Sequence, residues 1–164
     1  MSKKPLVIYY SYEGNTKYIA ESIKQAIKAD LLKLIPTKEM SSTGFMKYMW
    51  GGKSVVLKKK PTLKPFDVNP DDYEMIFIGT PVWVLTYAPP LRTFFSTISL
   101  NSKNIALFCC HEGGKGKTFE KMRMELDGNT ILGQMDFNHP LKKQTEEQKK
   151  KAMTWAKEMM ESKT

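Results

Sequence analysis

The residues from Ser11 to Thr16 read Ser-Tyr-Glu-Gly-Asn-Thr and follow directly after the apolar run 6–10. Hydroxyl groups, a glycine and the unpaired amides at a helix start can bind a phosphate, because the amides and the helix dipole favour negative charge. An ordinary helix cap made by Asn15 or Thr16 is the alternative interpretation. We predict a phosphate-binding loop formed by Ser11, Tyr12, Glu13, Gly14, Asn15 and Thr16.

The pattern of apolar residues predicts the strands and helices that position this loop. Apolar runs predict buried strands at 6–10, 31–35, 75–79 and 105–110, and residues 130–137 supply a fifth strand. Apolar residues spaced three and four apart predict helices at 16–30, from Pro89 to about Ile98, at 118–126 and at 145–160. Residues 37–66 are less regular, and the apolar residues between Phe45 and Trp50 indicate a further helical face before a loop.

The alternation of strands and helices predicts an α/β fold, a three-layer α/β/α sandwich with a five-stranded parallel sheet of order 2-1-3-4-5. Ligands of such a sheet bind beyond the carboxyl ends of strands one and three, where the direction of winding reverses. Site residues should therefore follow the strands. Three unusual loops do so, at 11–16, 80–89 and 110–118. We expect the second loop to open on a turn from Thr80 to Trp83.

The composition indicates one globular domain covering residues 1–164, because 41% of the 164 residues are hydrophobic. The apolar runs are too short to cross a bilayer, and the N-terminus does not resemble a secretory signal, so we expect a cytoplasmic protein with no membrane partner. Cys109 and Cys110 are adjacent, which favours buried free thiols over a disulfide, and with His111 and His139 they lack the spacing of a metal site.

The formal net charge of +9 favours anionic partners. Lysine runs at 58–60 and 149–151 are more often solvated surface than a binding patch, and no nucleic-acid-binding motif accompanies them. Nucleic acid is therefore an unlikely partner. The Gly-Lys-Thr of 116–118 lacks the first glycine of a P-loop, so it does not predict a nucleotide site of that class.

The loop at 11–16 resembles the phosphate loop of the flavodoxin family, which has the pattern Ser/Thr-x-Thr-Gly-Asn-Thr after the first strand. The departure is Glu13, whose carboxylate would repel a phosphate unless it points away, although its backbone amide could still donate. The resemblance extends in order along nearly the whole chain. It implies a non-covalently bound FMN cofactor, with the flavin doing the chemistry and no catalytic side chain required.

The other two loops resemble the family's flavin-binding loops. In the second, made of Thr80, Pro81, Val82, Trp83 and Tyr87, the resemblance implies an exposed aromatic over the flavin, with Trp83 and Tyr87 as candidates. The third loop comprises Cys110, His111, Glu112, Gly113 and Gly114, where glycines would admit backbone amides to the ring edge. His111 or an amide beside it is the candidate donor near flavin N1, and a histidine with ordinary loop hydrogen bonds is the alternative.

The resemblance implies an oxidoreductase or electron carrier, and it leaves the partner open between a redox protein and NAD(P)H with a small acceptor such as a quinone. Electron carriers of the family are acidic, whereas this chain is basic. Glu13 motivates a further alternative, a flavodoxin-fold binding module without flavin.

Overall fold

The fold is described from a computed structural model, whose described residues are 3–38 and 59–163. Five strands form a parallel sheet: β1 (Leu6–Tyr9), β2 (Asp30–Lys33), β3 (Met75–Trp83), β5 (Asn104–His111) and β6 (Thr130–Asn138). Their order is β2-β1-β3-β5-β6, and the short strand β4 (Thr86–Tyr87) pairs antiparallel with the end of β3. The predicted order of the parallel strands is therefore confirmed. The helical face expected at 45–50 lies outside the described residues.

Within the described residues, four α-helices form the two outer layers. They are α1 (Asn15–Ile27), α2 (Pro89–Thr97), α3 (Thr118–Glu125) and α4 (Thr145–Ser162). Apolar residues of α1 and α4 pack on one face of the sheet, and those of α2 and α3 pack on the other. The three-layer α/β/α prediction is confirmed, because each sheet face meets an apolar helix stripe.

Two predicted boundaries are wrong for identifiable reasons. Asp30 begins β2 instead of ending the first helix, because Lys28 takes a left-handed φ of 54° that ends α1. The turn expected from Thr80 to Trp83 is a continuation of β3. The chain reverses only after Trp83, since Val82 and Trp83 find antiparallel partners in Tyr87 and Thr86.

The central strands β1, β3 and β5 are largely buried on both faces, as their apolar runs predict, whereas the edge strands β2 and β6 are partly exposed. Cys109 packs into one face and Cys110 into the other, and both are free thiols. Burial raises the pKa of both thiols, that of Cys110 to about 12, so both are protonated at neutral pH.

Within residues 3–38 and 59–163, no helix has the length and apolar character needed to span a membrane. Over the same ranges, no three side chains of the His, Cys, Asp and Glu type come together in a way that could hold a metal ion.

Candidate functional site

A cleft of about 410 Å³ opens at the carboxyl ends of β1, β3 and β5. Its volume falls within the range of small-molecule sites, roughly 300–1,000 Å³. The three loops singled out in the sequence meet there, at the point where the winding direction of the sheet reverses. The sequence-predicted residues that line it are Ser11, Tyr12, Glu13, Asn15, Thr16, Pro81, Val82, Trp83, Cys110, His111, Glu112, Gly113 and Gly114.

The hydroxyls of Ser11 and Thr16 are the most unusual polar groups of the cleft. Both oxygen atoms are buried, and neither has a hydrogen-bond partner among the described residues. The Thr16 hydroxyl lies near the Cys110 thiol, but that group is a weak hydrogen bonder. Leaving a buried hydroxyl unpaired costs roughly 1–3 kcal/mol, so two such groups in one cleft suggest a ligand that satisfies them.

The start of helix α1 adds backbone donors to these hydroxyls. The first intrahelical bond runs from the Tyr18 amide to the Gly14 carbonyl, at 2.9 Å, so the amides of residues 15–17 precede it. Gly14, at the N-cap, has a φ of 103° and no side chain with which to cap the helix. Gly14 does not line the cleft itself, and its conformation directs the chain into α1.

The Asn15 side chain has a structural partner. Its Oδ1 accepts a hydrogen bond of 3.0 Å from the Leu141 amide, so this oxygen does not cap α1. Glu13, by contrast, is exposed at the cleft.

The two candidate aromatics of the second loop lie in different places. Trp83 lines the cleft, but it is only 5% exposed, and its ring packs edge-on against those of Tyr10 and Tyr12. Tyr87 lies outside the cleft, buried against Phe95, and its hydroxyl donates to Glu125 at 3.0 Å. Burial raises the pKa of Tyr87 to about 12, so the hydroxyl remains a donor.

Thr80 also lies outside the cleft. Its side chain is buried, donates to the Pro81 carbonyl at 2.8 Å and accepts from the Ala88 amide at 3.0 Å. Its hydroxyl therefore holds the end of β3 to the start of α2.

In the third loop, both ring nitrogens of His111 are engaged by the protein. Nε2 lies 2.8 Å from Oδ2 of Asp136, and Nδ1 accepts from the Gly114 amide at 3.0 Å. Both ring nitrogens therefore have protein partners, so the His111 ring is not available to donate a hydrogen bond to a ligand. The amides of Glu112 and Gly113 are the remaining candidates for the donor near the flavin.

Comparison with known proteins agrees with this geometry. The family model described as Flavodoxin matches residues 4–152. The chain belongs to the flavodoxin family. No curated protein matches its sequence.

Solved structures of flavoproteins share the fold. A flavoprotein from Lactobacillus acidophilus NCFM in complex with FMN is 25% identical, with 82% of this chain and 93% of that chain covered and a TM-score of 0.65. Flavodoxin 2 from Bacillus cereus is 18% identical over 98% of this chain and 100% of its own, with a TM-score of 0.60. The flavodoxin of Megasphaera elsdenii is 20% identical, with coverages of 93% and 98% and a TM-score of 0.59. The last two similarities show the fold alone.

Two lining residues of this flavodoxin-family chain were missed in the sequence. Val84 and Leu85 form the two-residue turn between β3 and β4, and both line the cleft. Both have positive φ, 49° and 63°, which favours Asn-Gly in such turns. A Val-Leu pair gives no such signal, so the sequence could not have revealed the hairpin.

The connection between β6 and α4 was also missed, although it supports two of the loops. The His139 amide donates to the His111 carbonyl at 2.8 Å, and His139 Nδ1 lies 3.3 Å from Glu112 Oε1. The Leu141 amide holds Asn15, as described above. The Leu141–Asn15 contact joins residues 126 positions apart in the chain, which no local pattern predicts.

Proposed function

We propose that this chain binds FMN non-covalently in the cleft and transfers electrons through it. The observation that carries the proposal is the pair of buried, unpartnered hydroxyls of Ser11 and Thr16 beside the free amides at the start of α1. A phosphate supplies acceptor oxygens to all of these donors at once, and the helix dipole favours its charge.

The rest of the cleft suits a flat, largely apolar ring. Pro81, Val82 and Trp83 add apolar side chains to its lining, and the third loop adds backbone amides. When bound, the flavin supplies one- and two-electron chemistry, and the protein supplies binding, orientation and electrostatics. The flavoprotein from Lactobacillus acidophilus was solved in complex with FMN, which supports FMN as the cofactor of this chain.

Fluorescence titration of FMN tests the phosphate site that the Ser11 and Thr16 hydroxyls and the first amides of α1 would form. We expect the chain to quench the fluorescence of added FMN. Ser11→Ala and Thr16→Val should each raise the dissociation constant about tenfold, the value of a hydrogen bond to a charged group. Thr118→Val is the matched control, because the Thr118 hydroxyl is also buried and unpartnered among the described residues but does not line the cleft.

A substitution of Glu13 distinguishes this proposal from a binding module that holds no flavin. The Glu13 carboxylate lines the cleft, so we expect Glu13→Gln to tighten FMN binding by removing repulsion between the carboxylate and the phosphate. A wild-type protein that is colourless and does not quench FMN, together with a Glu13→Gln variant that does, would favour the module in which this carboxylate excludes the cofactor.

An anaerobic mixing experiment separates a carrier from a reductase. Rapid bleaching of the flavin absorbance by NADPH would identify hydride transfer from NAD(P)H, with a small acceptor such as a quinone as the second substrate. Bleaching by dithionite but not by NADPH would identify a carrier that exchanges electrons with a redox protein. A flavin that neither reagent bleaches reversibly would contradict electron transfer.

A further inference from the structure

The imidazole of His111 joins the third loop to strand β6. Its Nε2 lies 2.8 Å from Oδ2 of Asp136, its Nδ1 lies 3.0 Å from the Gly114 nitrogen, and its side chain is only 9% exposed. The Gly114 amide can only donate, so Nδ1 accepts and Nε2 carries the proton that Asp136 accepts. The partners of the ring therefore assign one tautomer.

Asp136 is held in its charged form by its neighbours. Burial opposes the charge, but the hydrogen bond from His111 and the nearby Lys115, 3.7 Å from Oδ1, outweigh it and lower the pKa of the carboxyl. An ionised carboxylate accepts but cannot donate, so it enforces a proton on Nε2. The carboxylate itself does not line the cleft.

The loop that His111 holds borders the cleft directly. Gly114, whose amide is bound to Nδ1, has a φ of 123°, a conformation that side-chain-bearing residues rarely adopt. The backbone of His111 is fixed as well, since its carbonyl accepts from the His139 amide. The position of residues 112 and 113 between these anchors thus depends on the His111 ring.

We infer that Asp136 is a positioning residue: through the tautomer of His111 it fixes the Gly114 amide and so sets the shape of the third loop at the cleft. The inference rests on the proposed function only for its effect on FMN. Changing the carboxylate to an amide permits the opposite tautomer, because an amide can also donate to Nε2. Nδ1 would then carry the proton and repel the Gly114 amide.

Nitrogen-15 NMR of the full chain without flavin tests the tautomer directly. Two-bond correlations of His111 should report Nε2–H in the wild type at neutral pH. Asp136→Asn should populate Nδ1–H and shift the Gly114 amide, and Asp127→Asn, which removes an exposed carboxylate elsewhere, should change neither. Nδ1–H in the wild type, or an unchanged His111 and Gly114 in a folded Asp136→Asn, would overturn the inference.

FMN affinity at neutral pH tests the link to the cleft. We expect Asp136→Asn to weaken binding about three- to tenfold, the value of one hydrogen bond. Asp127→Asn is the matched control and should bind FMN as the wild type does. Equal affinities for Asp136→Asn and the wild type would overturn the link. An NMR result as expected in a chain that binds no FMN would defeat the proposed function and leave the role of Asp136 standing.

Discussion

Trp83 and Tyr87 show how two similar side chains, four residues apart, acquire different roles. Trp83 is the last residue of β3 and remains at the cleft, whereas Tyr87 lies after the hairpin turn, in β4, where Phe95, Arg92 and Glu125 contact it. Both are about equally buried. The difference therefore comes from the point at which the chain reverses, and not from the chemistry of either ring.

Substitution of the two aromatics tests this assignment. Tyr87→Phe should lower the free energy of unfolding by about 0.5–1.5 kcal/mol, because it removes the hydrogen bond to Glu125. It should leave FMN affinity unchanged within about twofold, whereas Trp83→Phe should weaken binding about three- to tenfold through lost ring contact. Urea denaturation and fluorescence titration measure the two effects. Weaker FMN binding in Tyr87→Phe than in Trp83→Phe would place Tyr87 in the site after all.

Residue types alone were enough to single out the loop at 11–16, most of which lines the cleft, because hydroxyls and a glycine follow directly after a buried strand. They were not enough to assign His111, since a histidine in a loop can donate to a ligand or bond to its neighbours. Its partner Asp136 is 25 residues away on another strand. Only the register of β5 against β6, which pairs Cys109 with Asp136, brings the two side chains together.

At the scale of elements, the β3–β4 hairpin is the least expected part of the site. Its two turn residues, Val84 and Leu85, have positive φ, and a β-branched residue such as valine is rare in that conformation. Leu85 is also 64% exposed, although it is apolar. Gly116 packs against it so closely that an added Cβ would lie 2.7 Å from the Leu85 carbonyl oxygen. The hairpin tip is thus fixed by the third loop.

Replacing the turn with one suited to its backbone should separate stability from binding. We expect Val84→Asn combined with Leu85→Gly to raise the free energy of unfolding by about 1 kcal/mol, because it relieves strain at two positions. The same change removes apolar surface from the cleft, so FMN affinity should fall. Urea denaturation with an FMN titration of the same samples measures both. A less stable double variant would mean that the Val-Leu turn carries no strain.

The strands and helices that pack on the sheet were predictable because burial on both faces leaves a continuous apolar run or a regular stripe. The hairpin was not, because β4 has only two residues and its pairing depends on the extension of β3 past Pro81. The connection from β6 to α4 was not predictable either. It acts through the backbone amides of His139 and Leu141, and a backbone amide leaves no trace in the sequence.

At the scale of the whole molecule, the net charge of +9 gives a positive long-range field that favours the approach of anions. The acidic residues at the cleft, Glu13 and Glu112, oppose that field locally. Lys115 lies on the third loop, where its charge is partly offset by Asp136. We therefore expect the long-range attraction of an anion such as FMN to come from the molecule as a whole, and its final contacts to come from neutral hydroxyls and amides.

The contrast between long-range attraction and neutral final contacts predicts how salt acts on the association of FMN. Raising the ionic strength from about 0.02 M to about 0.5 M shortens the Debye length to a few ångströms, so the association rate of FMN should fall about three- to tenfold. Riboflavin lacks the phosphate charge and is the matched control, with an expected change of less than about twofold. Stopped-flow fluorescence quenching measures both rates. A fall of equal size for both ligands would mean that salt acts on the conformation of the loops and not on attraction, because only the phosphate distinguishes the two ligands.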